Sequence, residues 1–346
     1  MRILTFLLSC AVLTTCGQAG AAEPFQWGVN GHPVSQEAYF HVPLTNQLDL
    51  VAELGAGWYR FDVGAKDFAG NTARLDELAG EATRRKIRLL PVLFAAPGGR
   101  SKNATPEQIR AAAFEFAKAI VTRYKDRVSH WELSNELDGH AMLRKGEKAR
   151  SGRVWIWDGD PDGSSPDHYE EGRYQRGRAE IEGLSAGVKA ADPAARTIVD
   201  TAGWLHTGFV DRLVKEDRVP FDILAWHWYS EMGDITRVQG KLDLVESLKQ
   251  YRTPLWITEI DRRDGSKGGK EREQADYVGR TAAQLRANPG VAAFFVYELL
   301  DEPNFGAGGE SDYGLVAVAR DSAGKWQVKR RKPAFAAFKS AIGEFH

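Results

Sequence analysis

Three observations predict an α/β chain folded as a single closed (β/α)8 barrel. Eight short β-rich runs alternate with amphipathic or alanine-rich stretches, their starts fall mostly about 30 residues apart, and no glycine-rich phosphate loop follows any early run. A doubly wound open sheet is the competing architecture, and it would carry such a loop. The runs cover residues 25–30, 57–63, 87–94, 128–136, 197–203, 223–229, 255–260 and 291–299. Helix signals lie between them. Asn71 precedes an amphipathic stretch over 75–86. Thr105-Pro106-Glu107 offers an N-cap, a proline at the first helical position and an early acid ahead of a helix over 109–125. The single long interval, between the fourth and fifth runs, contains a Gly/Asp/Pro/Ser-rich stretch over 137–168, read as an elaborated loop after the fourth strand. No other shift in composition marks a second domain, so residues 23–346 are assigned to the barrel.

Composition narrows the function. The chain of 346 residues is 43% apolar, 27% charged and 10% aromatic, which suits a soluble globular protein and excludes disorder or a fibre. A net charge of −1 provides no basic field for nucleic acid or an anionic membrane. Met1-Arg2, an apolar run over 3–13 and the small residues Ala19-Gly20-Ala21-Ala22 read as a secretory signal peptide over 1–22. The product is then periplasmic or extracellular. The apolar run is short for a membrane span and no later one of about 18 residues follows. Leu13-Thr14-Thr15-Cys16 loosely matches a lipoprotein cleavage box, which leaves a lipid-anchored product as the minor alternative. Both cysteines, Cys10 and Cys16, fall in this segment, so the mature chain has no disulfide, thiol nucleophile or thiolate metal site.

Barrel enzymes draw their catalytic groups from the C-terminal ends of the strands. Two glutamates occupy such positions: Glu136 ends Trp131-Glu132-Leu133-Ser134-Asn135-Glu136 after strand four, and Glu259 ends Trp256-Ile257-Thr258-Glu259 in strand seven. A carboxylate at the end of an apolar strand is costly to bury unless it is paired or kept for chemistry. Two of them converging on one barrel mouth suit glycoside hydrolysis, in which one carboxylic acid protonates the leaving oxygen and one carboxylate acts across the anomeric carbon.

Ser134-Asn135-Glu136 and Thr258-Glu259 resemble the pattern of glycoside hydrolase clan A, the retaining (β/α)8 hydrolases with cellulase-like, β-mannanase-like and β-xylosidase-like members. The resemblance covers essentially the whole mature chain. It implies Glu136 as acid/base, Glu259 as nucleophile and Asn135 as a partner of the sugar 2-hydroxyl. Arg60, in Trp58-Tyr59-Arg60-Phe61, falls where the clan keeps an arginine close to the nucleophile, and His227-Trp228-Tyr229 resembles its strand-six His-x-Tyr, whose tyrosine bonds the nucleophile. Ala190-Ala191-Asp192-Pro193, Asp312-Tyr313-Gly314-Leu315 and Lys332-Pro333-Ala334 agree as structural tags. Two departures stand out. Tyr297 occupies the strand-eight position where the clan usually has a tryptophan platform, and no histidine ends strand three. Gly28-Val29-Asn30-Gly31-His32 and the short C-terminus resemble bacterial family thirty-nine exopolysaccharide glycosidases.

The roles carry electrostatic requirements. Glu136 must hold a proton, which apolar surroundings and an anionic Glu259 favour, while Arg60 and Tyr229 keep Glu259 ionised. Retention requires carboxyl groups about 5 to 5.5 Å apart. Of ten tryptophans, Trp131 and Trp226 read as core, whereas Trp155 and Trp157 in the polar loop read equally well as a sugar-stacking wall. The eight histidines form no HxH or HExxH cluster, so neither metal nor cofactor is expected. Asp158, Asp160 and Asp162 lack the late glutamate of an EF-hand, and the basic run Lys329-Arg330-Arg331-Lys332 reads as a solvated edge. The expected activity is that of a monomeric, secreted, retaining O-glycosyl hydrolase that takes a β-linked poly- or oligosaccharide. A transglycosylase using the same glutamates and a non-catalytic sugar-binding barrel are the alternatives.

Overall fold

The computed structural model describes residues 24–95, 103–305 and 310–344. The signal-peptide reading over 1–22 lies outside the described residues. Eight parallel strands close into a barrel in sequence order: β1 (Gln26–Gly31), β2 (Trp58–Gly64), β3 (Arg88–Phe94), β4 (His130–Leu133), β5 (Arg196–Val199), β6 (Ile223–Tyr229), β7 (Leu255–Asp261) and β8 (Ala293–Val296). One principal helix follows each: α1 (Leu44–Leu54), α2 (Thr72–Arg84), α3 (Pro106–Tyr124), α4 (Glu171–Ala191), α5 (Thr207–Asp211), α6 (Leu244–Leu248), α7 (Glu271–Ala287) and α8 (Pro333–Gly343). The predicted fold class is the one observed. None of these helices is long and apolar enough to cross a membrane.

Local chemistry explains the boundaries. Thr105 caps α3 reciprocally, its Oγ1 accepting from the Gln108 amide at 3.3 Å while Gln108 Oε1 accepts from the Thr105 amide at 2.9 Å. Asn71 precedes α2 as expected, but its side chain bonds the Val34 carbonyl instead of the helix start. Between β8 and α8 the chain adds an antiparallel hairpin, β9 (Val316–Arg320) and β10 (Trp326–Arg331). That hairpin corrects the reading of the basic run. Arg330 and Arg331 pair with Glu271 and Glu53 at the surface, but Lys332 is buried, with its Nζ 2.5 Å from Asp301 and 2.8 Å from Ser266 Oγ.

The period-two alternation of the strands separates two cores. Outward-facing residues such as Val29, Tyr59, Leu93, Trp131, Val199, Trp226 and Ile257 pack beneath the helices, so the core reading of Trp131 and Trp226 holds. Inward-facing Trp58, Leu90, Ile198, Ile223, Ala225, Trp256, Ala293 and Phe295 plug the barrel interior. Gly28 of β1 completes this plug by having no side chain, because a Cβ there would run into the Phe295 ring. We expect Gly28→Ala to cost about 1–3 kcal/mol through overpacking, read as a lower denaturation midpoint with an unchanged m-value.

Candidate active site

Above the apolar plug the inward positions turn polar. Asn30, Arg60, Glu132, Asp200, His227 and Glu259, from six different strands or strand ends, form one charged layer. Two backbone irregularities aim the glutamates. In β7, Trp256 faces inward, so strict alternation would turn Glu259 outward. The register between β6 and β7 instead slips between Trp226↔Ile257 and His227↔Glu259, and the bulge at Thr258 returns Glu259 to the interior. After β4, Ser134 and Glu136 adopt left-handed backbone (φ 69° and 51°), and this turn brings both Asn135 and Glu136 over the mouth.

Arg60 ties the layer together. Its guanidinium forms a fork with Glu132, Nε to Oε2 and Nη2 to Oε1, each 2.8 Å. Nη1 donates to Glu259 Oε1 at 2.7 Å and to Asn30 Oδ1 at 2.8 Å, and Nη2 donates to Asn135 Oδ1 at 2.9 Å. Tyr229 donates its hydroxyl to the other Glu259 oxygen at 2.7 Å. His227 Nδ1 lies 2.8 Å from Glu136 Oε1 and 3.6 Å from Glu259 Oε2. These atoms of Glu136, His227 and Glu259 all fall within 4.8 Å of one another.

The electrostatics follow from these contacts. Burial by itself would raise the Glu259 carboxyl, but His227, Arg60 and the Tyr229 hydrogen bond outweigh it and hold the group below the ordinary carboxylate range. Burial, then Glu259, push the Tyr229 hydroxyl well above its usual value, so it stays a donor. For His227 burial favours the neutral ring, yet Glu259, the hydrogen bond to Glu136 and Asp200 together raise it to about 9. His227 therefore keeps its proton near neutrality and holds Nδ1 against Glu136 Oε1, while Asp200, whose Oδ1 accepts from the Glu136 amide at 3.0 Å, fixes the turn beneath.

The signs set the pH dependence. Acid protonates Glu259 only below the ordinary 4.5, while alkali neutralises His227 near 9. We expect a broad activity profile with its alkaline limb near 9, and His227→Gln should move that limb to lower pH; a purely structural role would leave the limb in place. Because folding raises His227 above its ordinary 6.5, its contribution to stability is full below 6.5 and is lost as pH rises through about 9.

The glutamates open onto two cavities that share Glu136, Tyr229 and Glu231. The first, about 400 Å³, is lined by Arg60, Asn135, Glu259 and Tyr297 together with His32, Asp62, Phe305 and Glu310. The second, about 690 Å³, is walled by Trp204, Leu205, Met232 and Val238, with Asp160 to Asp162 from the long β4–α4 loop. Two sequence expectations are corrected. Trp155 and Trp157 line neither cavity: Trp155 packs edge-on to His168 and bonds the Gly159 carbonyl, and Trp157 is 61% exposed. Trp204, 46% exposed, stands in the cleft instead. His227, expected to meet the sugar, is fully buried beneath Glu136 and positions that group.

Residues 179–310, from α4 to beyond β8, match the family described as the glycosyl hydrolase catalytic core; the matched segment contains His227, Tyr229, Glu259 and Tyr297 but not Glu136. No curated protein sequence matches significantly. Among solved structures, the fold is similar to that of a family 39 glycoside hydrolase from Bacteroides cellulosilyticus WH2 (TM-score 0.63, 17% identity, 93% of this chain), of which it spans 64%. It is also similar to native xylanase 10B from Thermotoga maritima (0.62, 17%, 93% of this chain and 95% of that one). A psychrophilic β-glucosidase from Micrococcus antarcticus shares the fold too (0.66, 14%, 92% and 97%). The family match covers the later strands of the barrel, and these neighbours agree with the chain in architecture: the chain has a (β/α)8 barrel whose second half is similar to a glycosyl hydrolase catalytic core.

Proposed function

We propose that the protein is a secreted, retaining β-glycosidase that cleaves within a poly- or oligosaccharide by double displacement. The observation that carries this reading is the pairing of Glu259 and Glu136, whose facing oxygens lie within 4.8 Å, with Glu259 held ionised by His227, Arg60 and Tyr229. Such a gap suits a direct attack on the anomeric carbon and leaves no room for the intervening water of an inverting enzyme, which needs about 6.5–9.5 Å. In the first step Glu259 attacks that carbon while Glu136 passes its proton to the departing oxygen. The C–O bond to the leaving sugar breaks and a glycosyl ester on Glu259 forms. Esterification removes the Glu259 charge, so Glu136 and His227 are free to take a proton from the water that then cleaves the ester. Asn135, held by Arg60, presents its amide to the 2-hydroxyl.

Cleavage within a chain is favoured because a second cavity continues from the acid/base residue, on the side where the leaving sugar must sit. Its exposed indole and apolar wall suit stacking against a sugar ring. The first cavity also bears Asp62, Glu231 and Glu310, while its Arg60 is already bound to Glu132 and Glu259, so neutral or amino sugars fit better than uronic acids. Trp204→Ala is expected to raise KM for oligosaccharides about tenfold while leaving aryl-glycoside hydrolysis within about twofold, and Trp157→Ala should change neither.

The deciding experiment is NMR of the first-formed anomer from a panel of polysaccharides and β-linked aryl glycosides. A β product supports double displacement; an α product overturns it. Tight binding without turnover would return the barrel to a sugar-binding role.

A further inference from the structure

On the β1–β8 side of the mouth lies a second cluster that the mechanism above does not use. His32 follows β1, while Glu298 and Glu302 follow β8. The His32 Nδ1 is 2.5 Å from Asp62 Oδ1, which also accepts from Ser35 Oγ at 3.1 Å. Asp62 accepts the hydrogen bond from Nδ1–H and so turns Nε2 toward the two glutamates, 3.6 Å from Glu298 Oε2. One donor atom from each of His32, Glu298 and Glu302 lies within 4.8 Å of the other two.

The two glutamates have the burial and the open oxygens of ligands. Glu298 is fully buried and Glu302 is 2% exposed. Tyr39 donates to Glu298 Oε2 at 2.8 Å, but among the described residues Glu298 Oε1 and both oxygens of Glu302 have no hydrogen-bond partner. Among the described residues His32 is the charged partner of Glu298, and Glu302 has none within ion-pair distance. Three orphaned carboxylate oxygens around one imidazole nitrogen are expensive in a protein interior, and a bound ion is a standard resolution of that cost.

We propose that His32, Glu298 and Glu302 bind one divalent transition-metal ion of the Zn²⁺ or Mn²⁺ kind, clamping the two strands where the barrel closes. The donor set selects the ion class: the imidazole disfavours Ca²⁺ and Mg²⁺, and the two carboxylates disfavour the soft, thiolate-seeking ions. Asp62 is the carboxylate that orients the histidine. The ion does not enter the hydrolysis. It sits behind Tyr297, whose hydroxyl lies 3.3 Å from His32 Nε2 and donates to Glu310 at 2.9 Å, so it fixes one wall of the first cavity.

The test is to strip the purified protein with a chelator, titrate it with Zn²⁺ and separately with Mn²⁺, and measure bound metal after desalting together with Tm. One retained equivalent and a raised Tm are expected. Glu302→Gln, which preserves volume and hydrogen bonding, should lose the equivalent. Glu136→Gln should keep it, which distinguishes this cluster from the similar Glu136–His227–Glu259 trio. Should Glu302→Gln fail to fold, His32→Gln takes its place. No uptake by the parent protein, uptake retained without Glu302 or His32, or uptake lost in Glu136→Gln would each overturn the assignment. A Ca²⁺-only response would overturn the ion class.

Discussion

Glu259→Ala should lower kcat/KM by about 10⁴-fold or more, with the fold retained. The size follows from the role proposed for Glu259, that of the atom forming the new bond, in a site where His227, Arg60 and Tyr229 surround its ionised carboxyl. Deletion leaves Arg60 its fork to Glu132 but Tyr229 without its acceptor, so the variant's far-UV spectrum and melting curve must accompany the kinetics. Glu136→Ala provides the contrast. Loss of the acid should cost as much for a sugar leaving group but far less for an activated aryl leaving group, which departs without a proton. Equal losses on both substrates would remove Glu136 from the acid role. Near-parental hydrolysis by Glu259→Ala would remove the double displacement. Small anions such as azide should partly restore Glu136→Ala by attacking the glycosyl-enzyme without base assistance, and the resulting glycosyl azide should keep the β configuration.

How much of this was legible in the sequence depends on the range of the interaction. The eight strands were readable because a barrel repeats one local pattern, and β6 falls on the predicted residues. Glu136 and Glu259 were readable as carboxylates ending apolar runs, but not the means of their aiming. Counting alternate residues from Trp256 turns Glu259 outward, and the bulge that corrects it is a property of β6 and β7 together. Glu132 and Asp200 were missed, although each left a signal. An arginine inside an apolar strand requires buried counter-charges, and Asp200 follows directly on Thr197-Ile198-Val199. The tryptophans show the opposite limit. Trp155, Trp157 and Trp204 all stand in polar loops, and only the path of those loops decides which one faces the cleft. The 316–331 hairpin was overlooked because its strands are short and mixed in polarity, and with it went the burial of Lys332.

Arg60→Met should cost about 3–5 kcal/mol of stability, far more than its loss of packing, because it strands two buried carboxylates. Glu132 is fully buried and Arg60 satisfies both of its oxygens, while Glu259 is 7% exposed and shares the same guanidinium. Removal of the cation takes both donors from Glu132, while Glu259 keeps Tyr229 and His227 but loses the guanidinium. The Glu259 carboxyl should rise, so the acid limb of activity should move to higher pH and the rate near neutrality should fall, through a smaller ionised fraction and a misplaced Asn135. Arg60→Lys separates charge from geometry. An ammonium restores part of the attraction but cannot span Glu132, Glu259, Asn30 and Asn135 at once, since those contacts use three nitrogens of a planar fork. Stability should recover partly in the lysine variant and activity much less, because the fork also places the amide that meets the sugar. A lysine variant with parental activity would show that Arg60 acts through charge alone; a methionine variant as stable as the parent would show that Glu132 and Glu259 share a proton instead of an arginine.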